Sequence, residues 1–158
     1  MANTQSMCTS FMGELMTATH NFGTAPIRAA STADTFRGAL YLASATINAS
    51  TTAYSSTGEV TGTGYSAGGV VVTNATAPTA TNSSTTAGVA YWTPSASLTY
   101  TSVTLATAFD AVLIYNASQS NKAVSVHTFG SQTITAGTFT LTMPVNNTTT
   151  ALLRLATT

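Results

Sequence analysis

Charged side chains are nearly absent from this 158-residue sequence. They make up 5% of the chain, whereas globular proteins usually carry about 25%. The four basic residues balance the four acidic ones, and no run of Lys or Arg is present. Nucleic-acid binding depends on neutralising phosphates with such residues, so we expect no DNA or RNA partner. A net charge near zero also protects poorly against self-association, which favours a surface that is covered in an assembly.

Paired cysteines, targeting segments and long apolar runs are missing as well. Cys8 is the single cysteine, so we expect no internal disulfide and no metal site of the paired-cysteine type. With no cationic neighbour in sequence, it is interpreted as a small hydrophobic residue rather than a nucleophile. The N-terminus lacks a basic segment followed by an apolar one, and no stretch approaches the roughly 18 apolar residues of a membrane span. We therefore expect synthesis in the cytoplasm and no membrane partner.

Groups able to perform acid–base or metal chemistry are few and scattered. The two histidines and four carboxylates show no spacing typical of a glycosidase pair or a metal site. The carboxylates are Glu14, Asp34, Glu59 and Asp110. A triad of Asp110, His127 and one of many serines remains an alternative, provided that the three meet in a pocket. The sequence favours a non-enzymatic protein without metal or cofactor.

A glycine-rich stretch, GEVTGTGYSAGGVVV at residues 58–72, raises the question of a phosphate-binding loop. A dinucleotide-binding loop is followed by a helix, but here a Val-rich strand follows. A P-loop needs a Lys after its glycines, and none is present. Glycines before a strand commonly provide positive φ angles in turns. We therefore expect a connection that turns the chain tightly, with contact between its backbone and a neighbouring subunit as a further interpretation.

Threonine, about a fifth of the residues, and alternating apolar positions dominate what is present. β-branched residues favour strands, and strands are predicted at 35–42, 70–72, 89–92, 98–104, 111–115, 123–129, 138–143 and 152–155. Polar clusters at 116–121 and 130–132 predict turns, and 76–87 predicts a surface loop. We expect a single domain over 1–158 that is mainly β, an antiparallel sandwich or barrel of about seven to eight strands at about 34–156.

One amphipathic helix is predicted at about residues 4–20. Its apolar residues recur at helical spacing, and they are Met7, Cys8, Phe11, Met12, Leu15 and Met16. Such a stripe packs either on the sheet of its own chain or on a neighbouring subunit, and Met suits both roles. The candidate interface residues are Met7, Phe11, Met12, Leu15, Met16, Tyr65 and Trp92.

Two further hypotheses concern aromatic and charged side chains. If exposed, four aromatic residues could stack on sugars, although burial in a core is the commoner outcome. These residues are Tyr65, Tyr91, Trp92 and Tyr100. Arg37 is predicted to form a partly buried ion pair with Glu59 or Asp34, because isolated buried charges are costly.

Motifs distributed in order over almost the whole chain carry a family resemblance. They are Phe11-Met-Gly-Glu-Leu15, His20-Asn-Phe22, Phe36-Arg-Gly-Ala-Leu-Tyr41, Thr51-Thr-Ala-Tyr54, Gly58-Glu-Val60, Gly62-Thr-Gly-Tyr-Ser-Ala-Gly-Gly-Val70, Ala108-Phe-Asp-Ala-Val-Leu-Ile-Tyr-Asn116, Asn121-Lys-Ala-Val-Ser-Val126, Phe129-Gly130 and Gly137-Thr-Phe-Thr-Leu-Thr-Met-Pro144. Together they resemble a family of small virion proteins encoded in the structural gene blocks of tailed bacteriophages. None of these motifs carries a catalytic role.

The resemblance implies a structural component of the virion. The leading interpretation is a capsid decoration, or cement, protein that bridges capsid subunits, with the major capsid protein, copies of itself, or both as partners. The alternative is a tail-associated subunit, such as an adaptor, tube or fibre-associated protein, with tail proteins as partners. A glycan-binding surface module is the third hypothesis.

Overall fold

Antiparallel strands make up the fold, in a computed structural model that describes residues 3–8, 11, 15, 19–20, 22, 33–74, 78–81 and 88–156. Eight strands lie in this part of the chain: β1 (Ser6–Met7), β2 (Phe36–Leu42), β3 (Val70–Val71), β4 (Thr79–Ala80), β5 (Val89–Trp92), β6 (Leu98–Asn116), β7 (Lys122–Leu141) and β8 (Leu153–Ala156). The prediction of a mainly β protein is confirmed.

The strands form two antiparallel sheets. The larger sheet has the order β1-β7-β6-β2-β3, and the smaller one has the order β4-β5-β8. In the larger sheet, residues 111–116 of β6 are buried without a break. This run lies between β2 and β7, which confirms the prediction of a central strand covered on both faces.

The hairpin of β6 and β7 is longer than the sequence suggested. Four separate strands were predicted at 98–104, 111–115, 123–129 and 138–143, but the structure joins them into strands of 19 and 20 residues. The predicted turn at 116–121 connects them and is confirmed, whereas the predicted turn at 130–132 is wrong, since these residues lie inside β7. Turn-forming residues are also tolerated at β-bulges, and the ladder shifts register on both sides of Phe109.

These register shifts accompany a sharp bend of the hairpin. Phe129 and Phe139 lie ten positions apart on β7, yet their ring centroids are 5.2 Å apart. Both rings also contact Phe109, at 5.9 and 5.1 Å. The bend brings Tyr100 back to β2, where its hydroxyl donates a hydrogen bond to the carbonyl oxygen of Gly38 at 2.8 Å.

The structure does not support the N-terminal helix predicted at 4–20. Ser6–Met7 forms strand β1, which pairs with β7. Phe11 and Leu15 have helical backbone, but most of the predicted helix, Met12 and Met16 included, lies outside the described residues. The predicted loop at 76–87 contains strand β4, which pairs with β5. Strands β1 and β4 each contain two residues, which is too few to produce a recognisable alternation of apolar and polar residues.

The glycine-rich stretch turns the chain against its own sheet. Gly58, Gly64, Gly68 and Gly69 all have positive φ, as expected for turns. At Gly69 an added Cβ would overlap the carbonyl oxygen of Gly38, and at Gly64 it would overlap that of Ser102. The close backbone contact expected for this stretch is therefore made within the chain.

Candidate interaction site

A cluster of aromatic rings covers one face of β2, the face that carries Phe36. Phe22 stacks on Phe36 with centroids 4.4 Å apart, and Trp92 meets Phe22 edge-on at 4.7 Å. Phe11 meets the ring of His20 edge-on at 4.8 Å. Trp92 belongs to β5, so the cluster joins the smaller sheet to the larger one. The indole Nε1 of Trp92 donates a hydrogen bond to Asn74 Oδ1 at 2.9 Å, which satisfies this buried donor.

An apolar groove of about 100 Å³ lies beside this cluster. It is lined by Met7, Phe11, Leu15, Phe22, Pro78, Ala90, Tyr91, Trp92, Leu153 and Leu155. The pairing of β5 with β8 explains why the smaller sheet contributes, since Ala90 lies opposite Leu155 and Trp92 opposite Leu153. These four side chains therefore share one face. Leu155 is 44% exposed, so the groove reaches the protein surface.

The groove brings together four of the seven candidate interface residues, namely Met7, Phe11, Leu15 and Trp92. Tyr65 does not belong to it, and Met12 and Met16 lie outside the described residues. Trp92 and Tyr100 are 2% and 3% exposed. These two residues form part of the core and present no ring face to a sugar, so the hypothesis of exposed aromatic rings is wrong for them.

Tyr65 belongs to a buried hydrogen-bond network around Glu59. Glu59 is 5% exposed. Its carboxylate accepts three hydrogen bonds: from the Tyr65 hydroxyl at 2.7 Å, the Tyr54 hydroxyl at 2.6 Å and the Gly68 backbone N–H at 2.7 Å. The Tyr65 hydroxyl also accepts a hydrogen bond from the backbone N–H of Leu40 at 3.0 Å. The network ties the glycine-rich stretch to β2, so its role is structural.

Arg37 completes this network without forming an ion pair to Glu59. Its guanidinium donates to the carbonyl oxygens of Gly68 and Gly69, at 3.1 and 2.5 Å. The Tyr115 hydroxyl also donates to Gly68, at 3.0 Å. The predicted pair of Arg37 with Glu59 or Asp34 is thus replaced, in the part of the chain that the structure describes, by bonds to backbone carbonyls.

Burial raises the pKa values of the tyrosines in and around this network. For Tyr41, loss of solvent is the main cause and raises the hydroxyl pKa to about 12, against a smaller lowering by the hydrogen bond to the Ser55 carbonyl. The pKa values of Tyr54 and Tyr65 are raised further, first by burial and then by the hydrogen bonds to the Glu59 carboxylate. Both hydroxyls stay protonated and remain donors at neutral pH.

The residues proposed for a catalytic triad do not converge. Asp110 accepts a hydrogen bond from Asn3 Nδ2 at 2.5 Å, and no hydrogen bond joins it to His127 in the described part of the chain. His127 Nε2 lies 2.8 Å from Ser125 Oγ, but Ser125 is 1% exposed and cannot reach a substrate. Burial lowers the pKa of His127 to about 4, so the ring is neutral at physiological pH. This arrangement fixes two side chains of β7 and offers no accessible nucleophile.

Cys8 and Asp34 are also held in the core, whereas Glu14 lies outside the described residues. Cys8 is fully buried, in agreement with its interpretation as a small hydrophobic residue. Asp34 accepts hydrogen bonds from Asn116 Nδ2 at 2.8 Å and Gln119 Nε2 at 3.2 Å. Asn116 Nδ2 also lies 3.0 Å from His20 Nδ1. Within the described ranges no three His, Cys, Asp or Glu side chains come together as they would around a metal ion.

A search of the described residues for a helix that is long and apolar enough to cross a membrane finds none. Comparison with known proteins gives no match to a family model, to a curated protein or to a solved structure.

Sequence reasoning missed the part of the groove that the smaller sheet forms. The sequence predicts that Leu153 and Leu155 lie on a strand, but it does not show which strand pairs with it. Their register with Trp92 and Ala90 depends on the pairing of β5 with β8, more than sixty positions apart in the chain. The Glu59 network had a signal, since Tyr54, Glu59 and Tyr65 lie close together in sequence. A scarce carboxylate near two tyrosines indicates a buried hydrogen-bonded acid.

Proposed function

We propose that this protein is a non-enzymatic structural component of a tailed-bacteriophage virion, and that it acts as a capsid decoration or cement protein. The observation that best supports an adhesive role is the apolar groove with Leu155 at its rim, on a chain in which charge makes up 5% of the residues. Such a site gains affinity by removing apolar area from water. The partners in this proposal are the major capsid protein and copies of the chain itself.

Cementing works by mass action. A protein that binds the assembled shell, and not its separated subunits, stabilises the shell by an amount that grows with the free concentration of the protein over its dissociation constant. A rigid binding surface loses less conformational entropy on binding than a flexible one. The aromatic cluster behind the groove provides such support, because Phe22, Phe36 and Trp92 are all buried.

The absence of catalysis is part of the proposal. The acids Asp34 and Glu59 are buried and engaged with internal donors, and the histidine of β7 is held by a buried serine. We also propose that the two sheets pack as a β-sandwich rather than a barrel. Contact between Trp92 of the smaller sheet and Phe36 of the larger sheet, at 6.2 Å between centroids, supports this arrangement.

Heat release of DNA tests the cement role. Particles lacking the protein should release DNA at a lower temperature than complete particles, and adding purified protein back should restore the higher temperature. Leu155→Ser should weaken this restoration, because it places a hydroxyl in the groove at a position that is already partly exposed. The matched control is Val145→Ser, since Val145 is 71% exposed and does not line the groove. Equal heat release with and without the protein would exclude the cement role.

Copy number separates the capsid proposal from the tail alternative. A shell-covering protein should be present in hundreds of copies per virion, whereas a tail part should be present in small multiples of three or six. Quantitative mass spectrometry of purified particles measures this number directly. A small number would move the proposal to the tail, where the same apolar groove would bind a tail protein.

A further inference from the structure

The outer edge of β7 has no strand beside it over most of its length. β6 pairs with one edge of β7. On the other edge, β1 pairs with Ser125 and Val126, and Ala53 forms an isolated bridge with Lys122. From residue 128 to 141, the described part of the chain places no second backbone ladder on this edge. Unpaired N–H and C=O groups of an edge strand form a template for another strand.

The sequence of this edge lacks two of the devices that usually prevent such pairing, charged side chains and proline, although β-bulges interrupt its ladder with β6. Natural edge strands are protected by Lys, by other charges or by Pro. The segment from 128 to 141 contains none of these residues. Its last part, GTFTL at 137–141, follows Ala136, which has a φ of 46°, and precedes Pro144. Residues 137–141 are therefore a short part of the free edge, which begins after a residue in the left-handed conformation and ends before a proline.

The side chains of this short strand alternate in exposure. Thr138 and Thr140 are exposed, while Phe139 and Leu141 are half-buried against the core. Phe139 contacts the rings of Phe109 and Phe129 on its inner side. A strand added at this edge would cover the remaining exposed part of Phe139 and would place its own threonines beside Thr138 and Thr140.

We propose that residues 137–141 pair antiparallel with the same residues of a second copy, about a two-fold axis at Phe139. In this register Phe139 faces its symmetry mate, and Thr138 faces Thr140 of the other copy. A two-fold interface is self-complementary by construction. The strand carries no charge and the whole chain has a formal net charge of +0, so no net charge repels a second copy. The use of this contact in a shell rests on the proposed function, but the pairing itself does not.

Paired lysines test the contact in purified protein. Thr138→Lys with Thr140→Lys places like charges directly opposite each other across the axis, which destabilises cross-strand pairs. Both positions are exposed, so the fold should tolerate the change. We expect at least a tenfold weaker dimerisation in sedimentation equilibrium. The control, Thr52→Lys with Thr61→Lys, adds the same charge at exposed positions outside residues 137–141 and should leave dimerisation unchanged.

A charge swap tests the register. Thr138→Lys with Thr140→Glu places each Lys opposite a Glu of the other copy, so this variant should dimerise at least as well as the wild type. Amides of residues 137–141 should also exchange more slowly with deuterium as the protein concentration rises. A wild type that stays monomeric at millimolar concentration would overturn the proposal, as would dimerisation that the paired lysines leave intact. A monomer that still protects particles against heat would refute the pairing and leave the cement role standing.

Discussion

Removing the Glu59 carboxylate should destabilise the fold more than its size suggests. Glu59→Ala leaves the Tyr65 hydroxyl and the Gly68 N–H as buried donors without an acceptor, since both bond to the same carboxylate oxygen. Each unsatisfied buried donor costs about 1–3 kcal/mol. Loss of the hydrogen bond from the Tyr54 hydroxyl should cost less free energy, because Tyr54 is only partly buried and its hydroxyl can bond to water instead.

The expected loss for Glu59→Ala is therefore about 3 kcal/mol of unfolding free energy, after allowing for the relief of no longer burying a charge. Glu59→Gln is the matched control. Its amide oxygen can keep the bonds from Tyr65 and Gly68, and the Tyr54 hydroxyl can rotate to accept from the amide N–H. The loss should then be about 1 kcal/mol, the difference between a charge-assisted and a neutral hydrogen bond.

Urea unfolding followed by tryptophan fluorescence measures both changes. With a slope of about 2–3 kcal/mol per molar urea, Glu59→Ala should lower the midpoint by about 1 M or more. Trp92 is buried and suits this readout. A loss below about 1 kcal/mol for Glu59→Ala would refute the reasoning, because it would mean that the donors find other acceptors.

Three further outcomes follow from single features of the structure. Gly69→Ala should lower the free energy of unfolding in urea by about 2–4 kcal/mol, because the φ of Gly69 is positive and the new Cβ would overlap the Gly38 carbonyl oxygen. In the control, Gly130→Ala, the new Cβ would have no atom within 4 Å, so the change should be neutral or slightly stabilising. Equal losses for the two variants would contradict this reasoning. Burial raises the pKa of Tyr41 to about 12, so the contribution of the protonated Tyr41 to folding stability is complete below about pH 10 and is lost as pH rises towards 12. Absorbance at alkaline pH should show that most tyrosines ionise only when the protein unfolds, and not near pH 10 in the folded protein. Burial lowers the pKa of His127 to about 4, so the free energy of unfolding should fall as pH drops from about 6.5 to 4. The free energy of unfolding of His127→Asn should depend less on pH over that interval. The same pH dependence in both proteins would exclude His127 as its cause.

The strands could be predicted wherever alternation or a continuous apolar run was strong. Residues 36–42 and 89–92 fall close to their predicted limits, and the central run at 111–115 is buried as expected. The long hairpin could not be predicted, because the bend at Phe109 consists of register shifts between two strands. A single sequence shows turn residues such as Gly130, but it does not show whether the chain reverses there or continues through a bulge.

The groove was predicted in part for a related reason. Helical spacing predicts that Met7, Phe11 and Leu15 share one apolar face, and all three line the groove, although Met7 lies on a strand. The spacing of apolar residues therefore predicts that these side chains lie together, but it does not predict the secondary structure of the backbone there. Trp92 is predicted as a candidate interface residue, with burial in a core as the commoner outcome for such a ring, and it packs behind the groove with 2% of its surface exposed. Trp92 therefore supports the other side chains that line the groove.

The distribution of charge leads to a last prediction, which rests on the proposed function and concerns binding of the protein to phage particles. Glu59 and Asp34 are buried, and Arg37 is half-buried with its guanidinium on backbone carbonyls, so these charges act inside the fold. The rim of the groove is apolar. Added salt screens attraction between exposed charges and leaves apolar contacts intact or strengthened. Binding of the protein to particles should therefore persist when sodium chloride is raised from low to about molar concentration. If added salt released the protein, charges on its surface would have to provide the adhesion, and the groove would not be the main contact.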